Sequence, residues 1–142
     1  MNKTIVVIDG MGGGIGAQLI SRLREILDER QDIIALGANA GATERMLKAG
    51  ATRGATGENA VKVSVRLGDF IAGPIGIVIP NSMLGEITSA MVDAVFAAPG
   101  ERILVPLKNE HFTLPGLESL PFTKAIELTA DAIKERIIRG EP

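Results

Sequence analysis

The chain of 142 residues lacks, or nearly lacks, several side chains that carry chemistry. It has no cysteine, which excludes disulfide bonds, thiolate metal ligands and a cysteine nucleophile. It has no tyrosine and one histidine, His111, which is the best available candidate for acid–base chemistry near neutral pH. A surface-loop histidine is the simpler interpretation. We expect no transition-metal site and assign no catalytic residue.

Charge and long apolar segments are limited as well. The net charge is −2, and lysine and arginine are dispersed, which argues against a grip on nucleic acid and against a basic membrane-binding patch. The stretch 70–83 is too short and too rich in glycine and proline to span a bilayer. Asp9 and a glycine cluster interrupt the first apolar run, which does not fit a secretory signal. We therefore expect a cytoplasmic protein.

Apolar runs typical of buried strands alternate along the chain with helical patterns. Strands are predicted at residues 5–8, 32–37, 52–55, 69–80 and 102–106. Helices are predicted at residues 15–27, 42–49, 57–68, 82–98 and 122–137. Thr56 and Ser82 are the expected N-caps of the third and fourth helices. Within the third, the apolar residues also alternate as in a strand, at Val61, Val63, Val65 and Leu67, but the surrounding βα alternation favours a helix.

This order predicts the fold class. Strands rich in valine and isoleucine imply burial on both faces, and regular alternation with helices implies right-handed crossovers. We expect an α/β protein, a single domain over residues 1–142, with a mainly parallel five-stranded sheet in a three-layer α/β/α sandwich.

The most distinctive segment joins the first strand to the first helix. Five of its seven residues from 10 to 16 are glycine, which exceeds what a tight turn requires. Glycines let a ligand approach the backbone, and the free N–H groups of a helix start attract an anion. The predicted binding residues are Asp9, Gly10, Gly12, Gly13, Gly14, Ile15 and Gly16. Asp9 is expected mainly to hold the loop, and simple packing of the turn is the alternative.

Other candidates follow the later strands, because the carboxyl ends of parallel strands line one crevice. Asn39 could hydrogen-bond a ribose, and Arg45 could meet a ribose phosphate. Asn81 and Ser82 could cap a helix, bind a ligand, or do both. Helix capping explains Thr56, and also Glu58 and Asn59, more simply than ligand binding does.

The glycine turn resembles the cofactor-binding start of short-chain dehydrogenase/reductases, whose pattern ends in Gly-Ile-Gly, as residues 14–16 do. The resemblance covers about the first 30 residues, the length of a βαβ unit, and implies phosphate binding. The Tyr-x-x-x-Lys pair of those enzymes is absent, so a reductase of that kind is not expected. The acidic residue expected roughly 20 residues beyond the glycines is missing too, so NAD specificity loses its best support, and NADP or a mononucleotide is left open.

Taken whole, the chain resembles the domain of unknown function 3842 family of small bacterial proteins. The segments that carry the likeness are 8–16, 38–40 with 42–43, 57–60, 73–76 and 84–88. The resemblance implies a Rossmann-like domain and no particular activity. The chain departs from the family near residues 108–111, where a cysteine close to an asparagine is expected, so a cysteine-dependent role is not supported.

The sequence thus predicts a Rossmann-like protein that binds a nucleotide or another small phosphorylated ligand, with NADP or NAD as the leading cofactors and NADP preferred. The alternative is a non-enzymatic regulatory or scaffold protein with no bound nucleotide. Whether a reaction is catalysed stays open, and so does assembly into a homo-oligomer.

Overall fold

A computed structural model describes residues 2–107 and 112–140. Its strands form one sheet with the order β3-β2-β1-β4-β5, and every neighbouring pair is parallel. The strands are β1 Thr4–Asp9, β2 Asp32–Gly37, β3 Arg53–Thr56, β4 Phe70–Pro74 and β5 Glu101–Val105. This topology is Rossmann-like and confirms the predicted parallel five-stranded sheet.

Helices cover both faces of the sheet. They are α1 Gly14–Ile26, α2 Ala40–Lys48, α3 Glu58–Ser64, α4 Ser89–Ala97 and α5 Phe122–Arg139, with short 3-10 turns at Val65–Leu67 and Ile75–Val78. None of the described helices is long and apolar enough to cross a membrane. Residues 58–67 are helical, as the βα context predicted: Val61 and Val65 are buried whereas Val63 is 51% exposed, which fits helical spacing and not alternation.

Two apolar cores lie on opposite faces of the sheet. Along β1, Ile5 and Val7 pack with α1, α2 and α5, whereas Val6 and Ile8 pack with α3 and α4. This division follows from the two-residue side-chain period of a strand. Burial of each large aliphatic side chain contributes about 1.5–3 kcal/mol, and the predicted α/β/α sandwich results.

The predicted start of the fourth helix is wrong. Residues 79–88 form turns, and α4 begins at Ser89 with Thr88 as its N-cap, whose Oγ1 accepts the N–H of Met91. Ile87 is buried against the sheet with the helix, but Leu84 has a φ of 56° and is 92% exposed. Leu84 matched the apolar spacing of the helix by coincidence.

Two smaller expectations also need correction. Thr56 does not cap α3, because Gly57 takes that position and the Thr56 hydroxyl lies 2.7 Å from the hydroxyl of Thr43. The fourth strand stops at Pro74, where a 3-10 turn replaces the predicted extension to residue 80. His111 lies outside the described residues.

Candidate functional site

Asp9 organises the turn between β1 and α1. The residue is buried, with 3% of its surface exposed. Oδ1 accepts the N–H of Gly10 at 2.8 Å, and Oδ2 accepts the N–H of Gly16 at 2.7 Å. The two bonds tie the end of the strand to the first turn of the helix, and this confirms the loop-holding role predicted for Asp9.

The environment of Asp9 also shifts its titration. Burial raises the pKa of the Asp9 carboxyl above its usual value, because the charged form loses hydration. The N–H groups of Gly16, Gly10 and Ile15 act in the opposite direction, and the nearby negative charge of Glu86 adds to the rise. Asp9 is therefore a fixed structural carboxylate with both oxygens engaged.

Three glycines of the turn lie in close contact with neighbouring residues. A methyl group at Gly10 would lie 2.8 Å from Met83 Sδ, and one at Gly16 would lie 2.6 Å from Met46 Sδ. Gly13 has a φ of 71°, and a methyl there would lie 2.8 Å from backbone atoms of Ala42. These glycines let α1 and its neighbours approach the loop closely, which is the packing role that the sequence offers as the alternative to ligand binding.

Gly12 and Gly14 differ from the other three. A methyl group at Gly12 would meet only Arg45 Nη1, at 3.8 Å, and one at Gly14 would meet only the Arg45 guanidinium, at 3.3 Å or more. Neither glycine has a positive φ. Their backbone N–H groups have no hydrogen-bond acceptor within the described ranges. Because the nearest atoms belong to the flexible end of one exposed side chain, packing constrains these two positions at the amino end of α1 less than it constrains Gly13 and Gly16.

Arg45 supplies a positive charge to that space. It projects from α2 toward Gly12 and Gly14, and its side chain is exposed. Within residues 2–107 and 112–140, its guanidinium makes no hydrogen bond or ion pair. Two free N–H groups at a helix start and an unpaired guanidinium are donors that suit a phosphate group.

Asn39 and Glu86 are hydrogen-bonded to the turn and to each other. Asn39 Oδ1 caps α2 by accepting the N–H of Ala42 at 2.9 Å. Its Nδ2 donates to the Met11 carbonyl at 2.7 Å and to Glu86 Oε2 at 2.8 Å, while Glu86 Oε1 accepts the N–H of Met11. Sequence reasoning missed Glu86 as a site residue. No local pattern could reveal it, because its partners precede it by 47 and 75 residues.

An open cleft of about 290 Å³ lies in front of the turn. It is lined by residues 9–15 together with Gln18, Met83 and Phe122. Asn81 and Ser82 neither line it nor bond to the turn: the Asn81 N–H donates to the Ile87 carbonyl, and the Ser82 hydroxyl donates to the Gly76 carbonyl at 2.6 Å. The segment 81–86 thus reaches the turn through Met83 and Glu86 instead.

Comparison with known proteins identifies the family. The family model described as domain of unknown function DUF3842 matches residues 4–138. The chain belongs to this family. Curated proteins give no match. Among solved structures, a variant of an imine reductase from Myxococcus stipitatus in complex with NAD+ is similar, with 18% identity and a TM-score of 0.45. The match covers 75% of this chain and 33% of the reductase, so the DUF3842 chain corresponds to about a third of that protein.

Proposed function

We propose that this DUF3842 protein binds a nucleotide, with a phosphate group at the amino end of α1. The N–H groups of Gly12 and Gly14 donate to the phosphate oxygens, and the Arg45 guanidinium pairs with its charge. One observation carries the proposal: the two N–H groups and the guanidinium lie together at the start of α1, and none of the three has a hydrogen-bond partner among the described residues.

The energetics favour an anion at this position. The partial positive charge of a helix start contributes about 0.3–1 kcal/mol to the binding of an anion. Hydrogen bonds to a charged group contribute about 1.5–3 kcal/mol each. The position also lies at the carboxyl end of β1, next to the point where the strand order reverses between β1 and β4, which is where open α/β sheets bind ligands.

NADP and NAD are the leading ligands. Beyond the phosphate position, the cleft lined by Met83 and Phe122 offers an apolar surface against which the second half of a dinucleotide could pack. If Arg45 contacts a ribose 2′-phosphate and not the diphosphate, NADP is preferred. The phosphate position and this apolar surface together support a dinucleotide as the proposed ligand.

A non-enzymatic binding or regulatory role is the second candidate. Among the described residues that line the cleft, Asp9 is the one titratable side chain, and both of its oxygens already accept backbone N–H groups. The lining therefore offers groups that hold a ligand in place and no free acid–base group.

Calorimetric titration with ADP, NAD and NADP tests the proposal. Arg45→Ala should weaken binding by about tenfold or more, the loss expected for one charged hydrogen-bonding partner. Lys48→Ala is the matched control, because Lys48 lies on the same helix but pairs with Glu44 at 3.1 Å. Equal effects of the two substitutions, or no binding of any nucleotide to the unmodified protein, would contradict the proposal. A loss of affinity in Arg45→Ala that is confined to NADP would show that Arg45 contacts the 2′-phosphate.

A further inference from the structure

Dinucleotide-binding folds commonly hold the ribose hydroxyls with an acidic residue at the end of the second strand. This chain has Gly37, Ala38 and Asn39 there. A carboxylate nevertheless reaches the same place from a distant segment. Glu86, in the turns before α4, accepts hydrogen bonds from Asn39, just after β2, and from Met11, just after β1.

We propose that Glu86 recognises the ribose hydroxyls of the bound nucleotide and thereby selects a ribose without a 2′-phosphate. The inference rests on the proposed nucleotide binding and adds the ligand class: nucleotides with an unmodified ribose, so that NAD is preferred to NADP. Glu86 then does what the acidic residue of the second strand does elsewhere.

The carboxylate of Glu86 lies close to the turn at Gly10. A methyl group at Gly10 would lie 2.9 Å from Glu86 Oε1 and 3.2 Å from Ala38 Cβ, so glycine at position 10 leaves room for the carboxylate between the ends of β1 and β2. The phosphate position uses different donors, the N–H groups of Gly12 and Gly14. Carboxylate and phosphate therefore do not compete for the same hydrogen bonds.

The hydrogen-bonding capacity assigns the ribose contact to Glu86 and not to Asn39. Both protons of the Asn39 amide are used, one by the Met11 carbonyl and one by Glu86. Each Glu86 oxygen accepts one bond from a described residue and keeps a further acceptor position, and the side chain is partly exposed. Two neighbouring hydroxyl groups are two donors that match these positions, whereas a 2′-phosphate would bring a second negative charge against the carboxylate.

The test compares Kd values within each variant, so that partial loss of fold cancels. The probes are ADP, 2′-deoxyadenosine diphosphate, NAD and NADP, titrated into the unmodified protein, Glu86→Gln and the control Glu44→Gln. Glu44 is an exposed carboxylate on α2 that pairs with Lys48. The unmodified protein and the control should prefer ADP to its 2′-deoxy analogue by about tenfold, and NAD to NADP.

In Glu86→Gln the preference for ADP over its 2′-deoxy analogue should fall to about twofold or less, which corresponds to a difference in binding free energy of roughly 0.4 kcal/mol. The affinity for the 2′-deoxy analogue should stay unchanged. A preference that survives in Glu86→Gln, or that is absent or reversed in the unmodified protein, would overturn the inference and leave nucleotide binding intact. Failure of every probe to bind the unmodified protein would overturn the proposed function and the inference with it.

Discussion

Alanine substitution of Gly13 and Gly14 should separate folding from binding at adjacent positions of one turn. Gly13 has a φ of 71°, and a methyl group there would lie 2.8 Å from the Cα and carbonyl oxygen of Ala42. The left-handed conformation costs about 1–2 kcal/mol for a residue with a Cβ. The overlap with backbone, which cannot rotate away, adds about 1–3 kcal/mol. Gly13→Ala should therefore lower the free energy of unfolding by about 2–5 kcal/mol.

Gly14→Ala should behave in the opposite way. Gly14 is the first residue of α1 and has no positive φ, and its methyl group would meet only the flexible end of Arg45 at 3.3 Å. Alanine is favoured over glycine in a helix by about 0.5–1 kcal/mol, so stability should be unchanged or slightly raised. The methyl group would nevertheless occupy space in front of the free N–H groups, and nucleotide affinity should fall by about tenfold.

Urea unfolding and calorimetric titration measure the two effects on the same samples. The reasoning is refuted if Gly14→Ala is destabilised as much as Gly13→Ala, because Gly14 would then be a packing residue. It is refuted equally if a folded Gly14→Ala, and the bulkier Gly14→Val, bind nucleotide like the unmodified protein.

Two further predictions concern Asp9 and the turn before α4. Burial raises the pKa of Asp9, so between pH 3.8 and the raised pKa the folded protein keeps a proton that the unfolded chain has lost. The contribution of Asp9 to the free energy of unfolding should therefore fall as the pH rises through that window. Urea unfolding of the unmodified protein and of Asp9→Asn at a series of pH values measures this contribution as the difference between their free energies of unfolding, and a rise with pH would contradict the prediction. Leu84→Gly should leave the free energy of unfolding unchanged or raise it by up to about 1 kcal/mol, because Leu84 is exposed with a φ of 56°. A loss of about 1 kcal/mol, as expected for glycine inside a helix, would instead support the helix predicted from residue 82.

The sequence alone was enough for the order of elements, the fold class and the family. Strand β2 runs over Asp32–Gly37, as predicted, and the helix after β3 was chosen correctly over a strand. These features depend on side-chain periodicity and on glycine and proline at element ends, which are local properties of the chain. The loop-holding role of Asp9 was predictable for the same reason, since its partners lie within seven residues.

The tertiary structure decided which residues of the candidate site act together. It divided five similar glycines into Gly10, Gly13 and Gly16, which neighbouring elements press against, and Gly12 and Gly14, which face Arg45. It placed the Asn81 N–H and the Ser82 hydroxyl against the carbonyls of Ile87 and Gly76, and it brought Glu86 to Met11 across 75 residues of chain. Contacts of this kind arise only when the β4–α4 connection folds back over the ends of β1 and β2, and no sequence period records which side chains then meet.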